Sequence, residues 1–155
     1  MEVILRSVRG CCVCLGLVAI AVGCGGGALT KDDLKKMAGG TLKEVVPASG
    51  KVTVDGQPIE GLYIDAYSAA GGAAPFKSVR TDKDGKYCWS THLNCDGMEP
   101  GDYKICFKYI PKMNRKGEGD DQFKGRYADP AKSEFKLTLE KGSPQKDVNY
   151  DLTTK

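Results

Sequence analysis

From Ala48 onward, apolar residues recur at every second position, the signature of strands with one buried face. Val52 and Val54 alternate with Lys51, Thr53 and Asp55, and Leu62, Ile64 and Ala66 alternate with Tyr63, Asp65 and Tyr67. Asp55-Gly56-Gln57-Pro58 reads as the turn between them. Gly71-Gly72-Ala73-Ala74-Pro75 breaks the chain, and Phe76 to Thr81 is a weaker strand. Thr81-Asp82-Lys83-Asp84-Gly85 is a tight turn in which Gly85 is free to take positive φ. Tyr87 and Trp89 share a face. Gly101-Asp102 opens the most regular run, with Tyr103, Ile105, Phe107 and Tyr109 on one face and Lys104, Cys106 and Lys108 on the other. Phe135, Leu137 and Leu139 follow, then Val148, Tyr150 and Leu152. Seven short strands with no convincing helix among them predict an all-β fold, an antiparallel β-sandwich with one polar face per sheet. The segment 48–155 is long enough to bury such a core.

The chain before Ala48 has a different pattern. Arg6 and Arg9 precede an almost wholly apolar or small stretch from Cys11 to Val22. That stretch ends in Ala21-Val22-Gly23-Cys24, followed by Gly25-Gly26-Gly27. A basic start, an apolar segment and small residues at a cut site define a secretory signal, because the peptidase must admit an extended backbone there. The run falls short of the ~18 apolar residues a membrane span needs. A core helix would not end in a flexible glycine triplet, whereas a tether would.

This order resembles a bacterial lipoprotein signal, in which a small residue precedes a lipid-modified cysteine, matched by Gly23-Cys24. Ala21 departs from the commoner Leu three places before the cysteine. The resemblance implies that residues 1–23 are removed and that Cys24 carries a diacylglyceryl thioether and an acylated amine. Cys11, Cys12 and Cys14 then leave with the signal. Two of the 23 basic and one of the 20 acidic residues go too, moving the net charge from +3 to +2. Two or more acyl chains hold a protein to a membrane. Gly25, rather than Asp, after the cysteine resembles lipoproteins that are not retained in the inner membrane, so outer-membrane sorting is favoured within the cell envelope.

Residues 24–47 read as anchor and linker. Thr30-Lys31-Asp32-Asp33 can cap one or two helical turns, and Gly39-Gly40 would end them. Too few apolar positions occur for a core-packed helix, though Leu34 and Met37 would share a face. Elsewhere Lys alternates with Asp and Glu, so no basic stripe argues for nucleic acid as a partner.

Within residues 48–155, "GKVTVDGQPIEGLYIDAYS", "TDKDGKYCW" and "PGDYKICF" resemble the carboxypeptidase regulatory-like domain, a transthyretin-like (prealbumin-like) Greek-key sandwich. Gly50, Val52, Gly56, Pro58 and Gly61 match its first motif, Thr81, Asp82, Gly85 and Tyr87 its second, and Pro100, Gly101 and Tyr103 its third. "RYADPAKSEFKLTLEKG" and "NYDL" resemble the C-terminal half of a lipoprotein subset of that family. The resemblance covers most of Ser49 to Leu152. It implies a non-catalytic module, and fold alone gives no activity. The motif residues also serve the fold directly, since glycines permit turns, Pro58 and Pro100 pre-set φ, and Tyr87 and Tyr103 fill the core.

The chemistry-bearing residues point the same way. His92 is the only histidine, and Cys88, His92 and Cys95 do not form a strong zinc spacing. No G-x-S-x-G elbow and no H-E-x-x-H occurs. The transthyretin-related ureidohydrolases use several His and Arg and end in Tyr-Arg-Gly-Ser, whereas this chain ends in Asp-Leu-Thr-Thr-Lys. Asp82-Lys83-Asp84-Gly85 imitates a calcium loop, but Thr91 stands where a distal Glu is required, about six residues past the glycine. No enzyme, metal or cofactor is therefore expected; a small hydrolase is the less favoured alternative, which a pocket gathering His92 with acids and a thiol would revive. Cys88, Cys95 and Cys106 remain in the mature chain, and in an oxidising envelope two should pair. Cys88 and Cys106 are opposite in parity to their core-facing neighbours, which favours a Cys88–Cys106 cross-strand bond. Cys88–Cys95, closing a small loop, is the alternative, and three reduced thiols are a third outcome. Residues 111–133 make a long charged loop. Tyr109, Arg115, Phe123, Arg126 and Tyr127 are candidates there to contact an envelope protein or polysaccharide, unless the aromatics pack back on the sheet. The alternative, a carbohydrate or cell-wall polymer binding role, would be favoured by exposed Trp89, or by Tyr63 and Tyr67, on one flat face.

Overall fold

A computed structural model describes residues 29–37, 39–112, 114–115 and 119–154. Cys24, where lipidation is expected, and the expected signal segment 1–23 lie outside the described residues. Among the described residues there are one short helix, α1 (Lys31–Met37), and eight strands: β1 (Ser49–Val54), β2 (Gln57–Pro58), β3 (Tyr63–Ser68), β4 (Lys77–Arg80), β5 (Lys86–Cys88), β6 (Gly101–Lys108), β7 (Lys136–Leu139) and β8 (Tyr150–Leu152).

The strands build two four-stranded sheets. In the first, β1 pairs antiparallel with β5 through Ser49–Lys51 and with β2 through Thr53–Val54, while β8 runs parallel to it. The second has the order β4-β3-β6-β7 and is antiparallel throughout. Two expectations are corrected here. Gln57-Pro58, read as turn, adds a two-residue strand, so there are eight strands and not seven. The β1–β8 pair is parallel, because alternation reveals which face a residue occupies but not the direction of its neighbour.

Inward residues follow the predicted parity. Val52, Val54, Ile64, Ala66, Tyr87, Trp89, Tyr103, Ile105, Phe107, Leu137, Leu139, Tyr150 and Leu152 are all buried between the sheets. Phe107 is the aromatic hub, its ring centroid 5.2 Å from that of Phe135 and 5.1 Å from that of Tyr150, both edge-to-face. Two glycines are required by close approach. A Cβ on Gly50 would collide with the Val148 carbonyl, and one on Gly97, at φ +108°, with that of Val46.

The outer face of the second sheet departs from the expected polar, wet surface, because it is partly covered. Asp65, Tyr67 and Cys106 point outward by parity, yet all are buried. Asp65 accepts from Ser78 Oγ at 2.6 Å and lies 3.8 Å from Lys108 Nζ, and Cys106 is covered by the segment after β6. Tyr127 O accepts from Phe107 N–H and Phe135 O from Ile105 N–H, so the chain leaves and rejoins the β6 edge at these points. Between them Asp129 and Ser133 come up against Cys106.

Helix α1 has the predicted ends. Thr30 Oγ1 accepts the Asp33 N–H at 3.2 Å, and Asp33 Oδ2 accepts the Thr30 N–H at 3.1 Å, a reciprocal capping box. Gly40 N–H returns to Lys35 O at 2.9 Å. No residue of α1 is buried, and Met37 is 75% exposed.

Candidate functional site

The cysteine chemistry differs from the favoured expectation. Cys88 is bonded to Cys95, and Cys106 is a buried free thiol. Parity correctly put Cys88 and Cys106 on outer faces, but of different sheets, β5 in the first and β6 in the second. Burial pushes the Cys106 thiol up to about 11, reinforced by the Asp65 and Asp129 carboxylates and opposed by Lys108 and Ser133. It is therefore protonated and unreactive at neutral pH.

The disulfide closes the loop between β5 and β6, which is ordered from within. Asp96 Oδ1 accepts the Thr91 N–H at 2.7 Å, and Oδ2 accepts those of His92 and Leu93 at 3.0 Å each. Burial alone would raise the Asp96 carboxyl, but these three donors and the nearby His92 hold it below the usual carboxylate range. The His92 ring is tied to Lys43 O at 3.1 Å. With both neighbouring sulfurs in the disulfide, Cys88, His92 and Cys95 cannot act together as metal ligands. Asp82 caps its turn, Oδ1 accepting from Asp84 N–H and Lys86 N–H at 2.9 and 2.8 Å, with Gly85 at φ +71°. This is the turn the sequence implies.

The five contact candidates separate. Phe123 is buried in the core cluster, and Tyr109 and Tyr127 pack against it. Phe123 and Tyr127 meet edge-to-face at 5.1 Å. Tyr127 and Arg126 also bind Thr153 near the C-terminus. Arg115 and Arg126 are exposed. Packing thus claims the aromatics and leaves the cations at the surface. Trp89 is only 1% exposed, Tyr67 is buried and Tyr63 is half-buried with Arg80 over its ring, so these three do not make a flat exposed platform for sugars.

A feature that the sequence pattern does not reveal lies beside the disulfide. An open groove of about 790 Å³ forms where β4 and β5, edge strands of the two sheets, converge. Lys51, Arg80 and Lys86 line it, with Asp82, Asn149 and the disulfide. Lys51 and Lys86 are directly opposed across the β1–β5 ladder. Arg80 lies 4.0 Å from the Tyr63 ring centroid and donates to its hydroxyl. Among the described residues, none of these three cations joins an ion pair. The alternation of Lys51 with Val52 hints at an outward lysine, but only the pairing register reveals that Lys86 faces it.

No model of a known protein family matches the chain, and no curated protein sequence matches it.

Proposed function

We propose that this protein is an exported envelope lipoprotein, anchored through acylated Cys24, whose β-sandwich is a non-catalytic module for interaction or structural support at the membrane surface. The observation that carries this reading is the Cys88–Cys95 disulfide, since such bonds persist in oxidising compartments and are rare in the cytosol. Export is what the apolar run ending at Gly23-Cys24 would direct. The linker supports the tether role, because α1 is capped at both ends yet buries nothing. On this reading residues 24–47 carry the spacer and residues 48–155 the displayed domain, with the end of the spacer already docked on the domain, since Val46 is buried in the core and bridges to Met98. A transthyretin-like, carboxypeptidase regulatory-like sandwich is the finer description of the fold we favour, supported by Gly50 at a close approach and Gly85 in a tight turn. Outer-membrane sorting follows from Gly25.

The reading is tested by feeding cells an alkyne-bearing fatty acid. The parent chain should become labelled and partition into detergent, and Cys24→Ser should do neither. Equal labelling of both forms would refute the anchor.

A further inference from the structure

The groove between β4 and β5 carries a specific recognition chemistry. Lys51 and Lys86 are like charges held directly opposite each other, an arrangement that costs stability unless something offsets it. Arg80 approaches from the other sheet, fixed over Tyr63. The carboxylates lining the groove are Asp82, whose Oδ1 is committed to two backbone N–H groups, and Asp147. Three cations against two carboxylates leave a positive groove. Its neutral rim consists of Ser49, Ser90, Asn94 and Asn149, small hydroxyl and amide groups that can pair with hydroxyls.

We propose that this groove binds an anionic glycan, with carboxylate or phosphate groups seated among Lys51, Lys86 and Arg80 and sugar hydroxyls on the rim. The proposal deepens the interaction-module reading and rests on it. An added peptide strand fits less well. β4 and β5 have four and three residues, both begin with Lys, and short lysine-bearing edges discourage strand addition. Stacking on an aromatic platform is not the mode here, because Trp89 is in the core. Recognition is by charge, and it should weaken as salt rises.

The test is titration of the full chain, purified from membranes in non-ionic detergent, with polygalacturonate, neutral dextran and polyglutamate. Saturable binding of polygalacturonate is expected, with none to dextran and weaker binding to polyglutamate. K51A/K86A should weaken polygalacturonate binding about tenfold, as expected when two charge-assisted contacts are lost. K104A/K136A removes an equal charge from an opposed pair in the other sheet and should leave binding unchanged. Removing a like-charge pair relieves repulsion, so both variants should melt no lower than the parent. R80A provides an independent second lesion in the groove. Absence of polygalacturonate binding, equal binding of dextran, polyglutamate binding as tight or tighter, or equal losses in both double variants would overturn the proposal. Cys24 acylation is read separately, so failure of the ligand class and failure of the anchor are distinguishable.

Discussion

Cys88 is joined to Cys95 across a Cα separation of 5.2 Å, while Cys106 stays a buried thiol in the opposite sheet. Non-reducing peptide mapping should therefore give one linked pair, Cys88 with Cys95. Cys106 should resist alkylation in the folded protein and react only after unfolding. A Cys88–Cys106 peptide would contradict the structure. Replacing Cys88 and Cys95 by Ser should cost about 2 kcal/mol, the loop-closure entropy of a short cross-link. Urea unfolding of the oxidised and variant proteins measures it.

Asp96 holds three backbone N–H groups of the loop that the disulfide closes. Its carboxyl is held below the ordinary value of 3.8. A depressed folded-state pKa gives stability that is present above the unfolded value and lost as pH falls through the folded one. The contribution should thus be constant near neutrality and fade below about pH 4. Asp96→Ala should cost about 1 kcal/mol at pH 7, in line with lost hydrogen bonds to a charged group that is partly solvated. Its stability difference from the parent should shrink in acid, which melting curves from pH 7 to pH 3 would show.

Gly50 faces the Val148 carbonyl with no room for a methyl group. Gly50→Ala must push the segment at Val148, just before β8, away from β1 or twist β1, and a loss of about 3 kcal/mol is expected. Gly56 sits in the β1–β2 turn with nothing near its missing Cβ, so Gly56→Ala should cost less, through backbone strain alone. Comparing the two by chemical denaturation separates steric from conformational demands for glycine.

Phe123, a candidate contact residue by sequence, is a core residue in the fold. Phe123→Ala should destabilise the domain by about 3 kcal/mol, as for other buried aromatic truncations. Arg115→Ala, at an exposed position, should leave the melting temperature unchanged. A neutral Phe123→Ala would return that side chain to the surface role the structure denies it.

Much of the fold is legible in the chain, and the reasons are local. Val52, Ile64, Ile105 and Leu137 announce their faces by alternation, and Thr30 and Asp33 announce a helix start by spacing. What is illegible depends on partners distant in sequence. Nothing near Tyr150 says that β8 runs parallel to β1. Parity places Cys106 outward, but only the return of the chain at Tyr127 and Phe135 covers it. The groove is hidden for the same reason, since Lys51 and Lys86 are ordinary strand lysines until the ladder sets them face to face.

The central claim is that Cys24 is the first residue of a lipid-anchored mature chain. The most direct test is the intact mass of the protein recovered from cell membranes. The account predicts loss of residues 1–23, added mass for a diacylglyceryl group and an amide-linked acyl chain, and a deficit of two hydrogens for the Cys88–Cys95 bond. A mass matching the uncleaved chain, or a cleaved chain without lipid, would contradict it.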